Sequence, residues 1–262
     1  MSYAYKLFAI ILLIRIRGTI EERMRSGQEG FRTARGCSDN LFVIRTMINH
    51  ALKTGQSLEI TFIDYAQAFD TISHEFLQIS MEEHGLPLKI REIIGAIYEN
   101  TMGTVCGPFG TKSEPFPIKR GVLQGDILSP VLFIMCLNSI WYRTEAPNDG
   151  WRINDTWNVP EISYADDIAL FSIDTNDSQR RVQKLGKVSG ETATLQFSLP
   201  KTFRMVVKTL EYVTPTTNDE ANAAAVVKRP VCERGFGNKK GLLAHLAVRR
   251  GVPFCKGNVA AE

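Results

Sequence analysis

Residues 162–171 read Ile162-Ser-Tyr-Ala-Asp-Asp-Ile-Ala-Leu-Phe171. Two short apolar runs flank a polar centre, the pattern of a strand, a tight turn and a second strand. Asp166 and Asp167 fall at the turn. Asp-Asp is an ordinary turn pair, and it acquires meaning only beside a third carboxylate. Upstream, Leu58-Glu-Ile-Thr-Phe-Ile-Asp64 is apolar, partly alternating and β-branched, and reads as a buried strand ending at Asp64. The ends of two neighbouring strands can lie close together even when 102 residues separate Asp64 from Asp166. Carboxylates gathered there repel one another and are costly to desolvate unless a cation joins them. Mg²⁺ takes oxygen ligands and keeps positions for water and phosphates. Two such ions about 4 Å apart clamp the attacking and leaving oxygens of an in-line phosphoryl displacement. Asp64, Asp166 and Asp167 are candidate catalytic and metal-ligating residues for two Mg²⁺ or Mn²⁺ ions, a reading that needs the order and context of the surrounding segments, since each aspartate alone is more often a strand cap or a turn residue.

Around these segments the local signals alternate between helix and loop. Ser38 can cap a helix carrying Leu41, Phe42, Ile44, Met47, Ile48, Ala51 and Leu52, which Gly55 ends. One helix is expected from Ser73 to Gly85 and another from about Pro87 to Tyr98. Residues 101–120 are rich in Gly, Pro, Thr and Ser and read as a hairpin or loops. Ser129-Pro130 opens an apolar helix to about Trp141, with Ser at the N-cap and Pro at the first helical position. A polar loop over 144–160 precedes the hairpin, and a polar helix from about Ser178 to Ala193 follows it. The apolar run Leu7–Ile14 is shorter than the roughly 20 residues that span a bilayer. No small-residue cleavage site follows it, so a buried helix segment is expected, and no membrane partner.

The composition is that of a globular protein. With 262 residues, 44% hydrophobic and 23% charged, the chain can bury a core without disulfides. Its five cysteines are odd in number and form no CxxC pair. That pattern argues against a disulfide framework and for a reducing, intracellular compartment, nucleus or cytoplasm. Net charge is only +3, yet residues 228–256 hold eight basic residues against the single acid Glu233. Such a tail is either a solvated segment or the footprint of a polyanion partner.

Five stretches occur in an order that resembles the reverse transcriptases of non-LTR (LINE-type) retrotransposons. Phe62-Ile-Asp-Tyr-Ala-Gln-Ala-Phe-Asp70 resembles their first palm motif. Gly121-Val-Leu-Gln-Gly-Asp-Ile-Leu-Ser-Pro130 resembles the second, and Tyr164-Ala-Asp-Asp167 the third. Leu195-Gln-Phe-Ser-Leu-Pro-Lys-Thr202 resembles the fourth, and Gly30-Phe-Arg-Thr-Ala-Arg-Gly-Cys-Ser-Asp39 the block joining fingers to palm. The resemblance implies an α+β polymerase palm, a small antiparallel sheet with helices packed on one face, plus partial fingers and a largely absent thumb. It implies partial fingers and the fingers–palm junction over 1–57, the palm over 58–207, and a linker and basic tail over 208–262. On this reading the chain is a truncated form.

The implied activity is RNA-directed DNA polymerisation, in which a primer 3′-hydroxyl attacks the α-phosphate of a dNTP. RNA template, DNA primer and dNTPs are the implied partners, and whether a protein partner supplies the thumb stays open. Asp64 and Asp166 match the main metal ligands, with Asp167 beside them. Phe69 matches the bulky residue against the sugar of the incoming nucleotide, although an isolated Phe is more often core. Gln124 and Gly125 match the pair beside the nascent base pair. Lys201 matches the lysine near the leaving pyrophosphate, where a cation stabilises developing charge. Arg32 and Arg35 are candidates for nucleic-acid phosphates, with an ion pair as the competing reading. An RNA-dependent RNA polymerase shares the Asp-Asp turn, but Phe69 and Ala165 argue against it. A catalytically inactive remnant that keeps nucleic-acid binding is the alternative reading. In the tail, residues 231–245 resemble a zinc finger. Cys232, His245 and Cys255 are three of the four ligands a structural zinc takes, so no zinc is expected there.

Overall fold

The computed structural model of the chain describes residues 2–146, 149–154 and 157–207. In chain order its elements are α1 (Tyr3–Arg23), α2 (Cys37–Thr54), β1 (Leu58–Ile63), α3 (Ala68–Thr71), α4 (His74–Glu83), α5 (Leu88–Glu99), β2 (Met102–Gly103), β3 (Phe116–Pro117), α6 (Ser129–Thr144), β4 (Trp151–Arg152), β5 (Asn158–Val159), β6 (Glu161–Tyr164), β7 (Asp167–Ser172), α7 (Thr175–Ala193) and β8 (Phe203–Val207). The linker from Thr214, the basic stretch and the zinc-finger-like segment with Cys232, His245 and Cys255 lie outside the described residues.

Four strands form one antiparallel sheet in the order β6-β7-β1-β8. The expected α+β architecture is present, but helices cover both faces of the sheet rather than one. The reason lies in β1, where Leu58, Glu59, Ile60, Thr61 and Ile63 are all buried. Side chains alternate across a strand, so a strand buried at successive positions needs cover on each side. Leu58, Ile60, Ala169 and Phe171 pack with Ile44, Met47 and Ala51 of α2 and with Trp151. Ile63, Ile168 and Leu170 belong to a second core with α4, α6 and α7. There Thr61 and Ser178 join hydroxyls at 2.7 Å, and Thr175 donates to the buried carboxylate of Glu59 at 2.9 Å.

Helix α6 is the hub of that second core. Leu132, Phe133, Met135 and Cys136 have no exposed surface, as expected of a helix apolar on every side. Its start differs from the sequence expectation. Leu128 is the N-cap, and Ser129 is already helical and donates instead to the Leu123 carbonyl at 2.7 Å. Ser38 likewise lies inside α2, whose N-cap is Gly36, and the Asp39 carboxylate accepts the Gly36 N–H at 2.9 Å. Ser73 does cap α4, accepting from the Phe76 N–H.

Helix α1 corrects the reading of Leu7–Ile14 as a buried segment. Only the stripe Ala9, Leu12, Ile16 and Ile20 is buried. Leu7, Ile11 and Ile14 are exposed. The stripe recurs at spacings of three and four, one face of a helix. Among the described residues no helix is long and apolar enough to cross a membrane. The polar stretch 144–160 contains the two-stranded β4–β5 hairpin and a buried Trp151, whose indole donates to the Ser57 carbonyl at 2.8 Å.

Candidate active site

The register of β1 against β7 builds the site. Ile63 pairs with Ile168, so Asp64 and Asp167 come next on the two strands, at the same end of the sheet. Tyr164 pairs with Asp167, which leaves Ala165 and Asp166 as the two-residue turn. Ala165 is left-handed, with φ of 56°. That conformation at a non-glycine residue costs on the order of 1–3 kcal/mol and is held only where the surroundings fix it.

Asp166 and Asp167 both feel the charge of Asp64. Burial first, and then the charge of Asp64, raises the pKa of Asp166 above the ordinary carboxylate value. Burial, then Asp166, then Asp64 raise that of Asp167. A cation is already present in the form of Lys201, whose Nζ lies 3.0 Å from Asp64 Oδ2. The hydrogen bond to Asp64 raises the lysine pKa. Its segment is threaded past β1 by backbone bonds, Ala66 N–H to Gln196 O and Ser198 N–H to Asp64 O, both at 2.8 Å. Among the described residues no three His, Cys, Asp or Glu side chains close into a cage for a metal ion. Mg²⁺ does not require such a cage, because it is commonly held by one or two carboxylates together with substrate phosphates. The donor set at the end of β1 and β7 therefore fits this ion.

The other sequence candidates lie on α3, which carries Phe69, and on the loop before α6, which carries Gln124 and Gly125. Phe69 is half-buried, stacked on Phe133 at 4.2 Å between ring centroids, with Phe31 edge-on to it at 6.3 Å. Phe31 also approaches Tyr164 of the hairpin. The loop after Arg120 is laced to α3 by Gly121 N–H to Ile72 O and Val122 N–H to Phe69 O, both at 2.7 Å. Gly121 has φ of 85°, and a Cβ there would lie 2.6 Å from the Asp70 carbonyl oxygen. This crossing brings exposed Gln124 to Asp70, its Nε2 donating to Oδ1 at 2.8 Å. Gly125, with φ of 79°, faces open space. A cleft of about 360 Å³ opens beside this loop, lined by Asp70, Tyr98, Arg120 and Gln124 among others, and it does not reach the carboxylates.

The two arginines part company. Arg32 is turned inward, with its side chain 5% exposed. It pairs with Glu21 at 2.6 Å and donates to the carbonyls of Arg25 and Gln28. These are the contacts of the ion-pair reading, and they occupy four of the five guanidinium donors. Arg35 pairs with Glu29 at 2.9 Å but keeps 37% of its side chain exposed.

Sequence reasoning missed Gln28, whose buried amide bonds the Ala165 backbone. It also missed Asp126, buried in the loop before α6, which accepts from the Tyr5 hydroxyl at 2.8 Å. Asp126 lies inside a motif and Gln28 two residues before one, so their positions were the only signal.

The chain matches the family described as reverse transcriptase (RNA-dependent DNA polymerase) over residues 1–219. It is 32% identical over 162 residues to the Retrovirus-related Pol polyprotein from type-2 retrotransposable element R2DM of Drosophila melanogaster. That alignment covers 62% of this chain and 15% of the fly protein. A Pol polyprotein from the type-1 retrotransposable element R2 of Nasonia vitripennis is 30% identical, over 65% of this chain and 16% of its own length. The chain thus spans only a small part of these relatives. Among solved structures, apo telomerase from Candida tropicalis, truncated from its C-terminal domain, superposes with a TM-score of 0.58. Sequence identity there is 15%, with 77% of this chain and 42% of the telomerase covered. At that identity the likeness speaks for the palm-type fold alone.

Proposed function

Because the chain belongs to the reverse transcriptase (RNA-dependent DNA polymerase) family, we propose that it forms the catalytic palm of an RNA-directed DNA polymerase, with the carboxylates at the end of β1 and β7 as its reaction centre. One observation carries the reading. Asp64, Asp166 and Asp167 converge there although 102 residues separate the first two, and burial together with the charge of Asp64 raises the pKa values of Asp166 and Asp167, a cost that a bound cation would relieve.

The family works with divalent metal ions. Bound through Asp64 and Asp166, with Asp167 beside them, such ions would activate the primer 3′-hydroxyl and neutralise charge on the triphosphate. The chain's own residues do the rest. The primer oxygen forms its bond to the α-phosphorus of the dNTP as the bond to pyrophosphate breaks. Lys201, tethered beside Asp64, is the cation within reach of negative charge gathering on the leaving group. Phe69 is backed by Phe133, so its ring cannot retreat from the nucleotide sugar, and a 2′-hydroxyl would meet aromatic carbon. Gln124, oriented by Asp70, and Gly125, which presents bare backbone, form the wall against the new base pair. Arg35 supplies a half-exposed charge for a template or primer phosphate. RNA template, DNA primer and dNTPs are the corresponding partners, read through backbone and shape rather than sequence.

The test is primer extension on an RNA template with dNTPs and Mg²⁺ or Mn²⁺, with an Asp166→Ala/Asp167→Ala protein as control. Extension by the wild type alone is the expected result. No extension from folded protein would overturn the polymerase assignment and leave nucleic-acid binding without catalysis.

A further inference from the structure

Gln28 lies in the bend between α1 and α2 and is 5% exposed. Its side-chain amide makes three hydrogen bonds. Oε1 accepts from the Ala165 N–H at 2.9 Å and from the Gly30 N–H at 2.8 Å, and Nε2 donates to the Ala165 carbonyl at 3.3 Å. One side chain therefore takes both backbone polar groups of the left-handed residue that precedes Asp166. The last two dihedrals before the aspartates are those of Ala165, so whatever fixes this residue also aims Asp166 and Asp167.

The backbone around Gln28 docks on the same hairpin. Glu29 N–H donates to Ser163 O at 2.9 Å, and Ser163 N–H donates to Gly27 O at 2.8 Å. Gln28 and Ser163 thus form a parallel bridge beside β6. The approach is close enough to require glycine on each side. A Cβ on Gly27 would lie 2.7 Å from Glu161 O, and one on Gly30 would lie 2.4 Å from Ala165 N. Gln28 is in turn held from behind, because Arg32, anchored on Glu21, donates to the Gln28 carbonyl at 2.9 Å.

Few side chains could do this. Asn is a methylene too short, Met offers no hydrogen bond, and an ionised Glu cannot donate to the Ala165 carbonyl. Turns of this φ ordinarily take glycine at the first central position. Here alanine stands in the turn and the amide supplies the restraint that glycine would not need.

We propose that Gln28 is a positioning residue for the metal-binding turn, holding Ala165 left-handed so that Asp166 and Asp167 face Asp64. The inference rests on the polymerase reading of those carboxylates. Residues that orient metal ligands from behind characteristically change metal affinity or activity about 10–100-fold when removed.

The experiment compares the full chain with Gln28→Met, which keeps the length of the side chain and removes its amide. Mn²⁺ binding is followed by electron paramagnetic resonance, and the Mg²⁺ dependence of primer extension is measured alongside. Mn²⁺ binding should weaken about 10–100-fold and half-saturating Mg²⁺ should rise in parallel, with primer–template affinity unchanged. In an Ala165→Gly background, where the turn needs less restraint, the loss on Gln28→Met should be smaller. Should Gln28→Met fail to fold, Gln28→Glu serves, since it keeps the acceptor contacts and loses the donor to Ala165. Wild-type Mn²⁺ binding with an unaffected Gln28 variant, or an equal loss in the glycine background, overturns the positioning role alone. A wild type that neither binds Mn²⁺ nor extends a primer overturns the polymerase reading, and this inference with it.

Discussion

The ammonium of Lys201 lies 3.0 Å from Oδ2 of Asp64, with the lysine side chain 69% exposed and the carboxylate 16% exposed. The lysine reaches the carboxylate from a strand-edge segment pinned to Asp64 by its own backbone. An ion pair this exposed contributes about 0–1 kcal/mol to stability. Lys201→Met should therefore leave the denaturation midpoint nearly unmoved. The same change should lower kcat by about 10²–10³-fold, the usual effect of losing one preorganised charge stabiliser. Single-turnover extension beside a urea titration checks both. A large loss of stability with intact turnover would make Lys201 a structural cation instead.

Burial, and then the charge of Asp64, raise the pKa of Asp166, and burial, Asp166 and Asp64 raise that of Asp167. A carboxyl whose folded pKa exceeds its unfolded value, about 3.9 for Asp, binds more protons when folded, so stability falls as pH rises through that interval. The cost is absent below the unfolded value and grows as pH rises through the folded one. Asp166→Asn should thus abolish synthesis yet raise the metal-free melting temperature at pH 7 by a few degrees, since 1 kcal/mol corresponds to roughly 2–4 °C in a domain of this size. The gap should close below about pH 4. Mg²⁺ should stabilise the wild type more than the variant. Calorimetry across pH measures all three effects, and a variant less stable than wild type at pH 7 would contradict the electrostatic account.

Phe69 rests on Phe133, so two substitutions probe the sugar contact. Phe69→Val opens space directly. Phe133→Leu keeps a buried apolar side chain but lets the Phe69 ring settle back. Both should relax dNTP over rNTP discrimination, Phe69→Val by about 10–200-fold, the range for a steric contact of this size, and Phe133→Leu by less. Competitive incorporation on a homopolymer template reads the ratio. Unchanged selectivity in an active Phe69→Val enzyme would reduce Phe69 to core packing.

Arg32 and Arg35 should separate stability from binding. Arg32→Ala removes the side-chain donor from the Gln28 carbonyl and leaves the Arg25 carbonyl with only the Gln28 N–H at 3.4 Å, and should cost about 1–3 kcal/mol by denaturant titration, with no change in the salt dependence of nucleic-acid binding. Arg35→Ala should leave stability alone and lower that salt slope by roughly 0.7–0.9, the contribution of one phosphate contact. The reverse pattern would exchange the two roles.

The strands β1, β6 and β7, the turn and the longer helices were legible in the sequence because their signals are local, whereas β8 and the β4–β5 hairpin were not read as strands. Leu58–Asp64 and Ile162–Phe171 announce strands by composition and alternation, and Asp166-Asp167 announces a turn. The family was legible as well, since its motifs are short runs of adjacent residues. Other features depend on distance through space. The second helical face of the sheet follows from α2 finding Leu58 and Ile60, and a strand pattern records burial without saying what covers it. The inward turn of Arg32 depends on Glu21, and an arginine in a loop reads the same whether it meets a carboxylate or a phosphate. The one-sided burial of α1 depends on which stripe meets the core. The hold of Gln28 on Ala165 spans 137 residues. Local sequence thus determined which groups could do chemistry, because backbone propensity and side-chain type act over a few residues. Only the tertiary structure decided which of them meet, because hydrogen bonds and charge pairs act between atoms a few ångströms apart, wherever the chain has carried them.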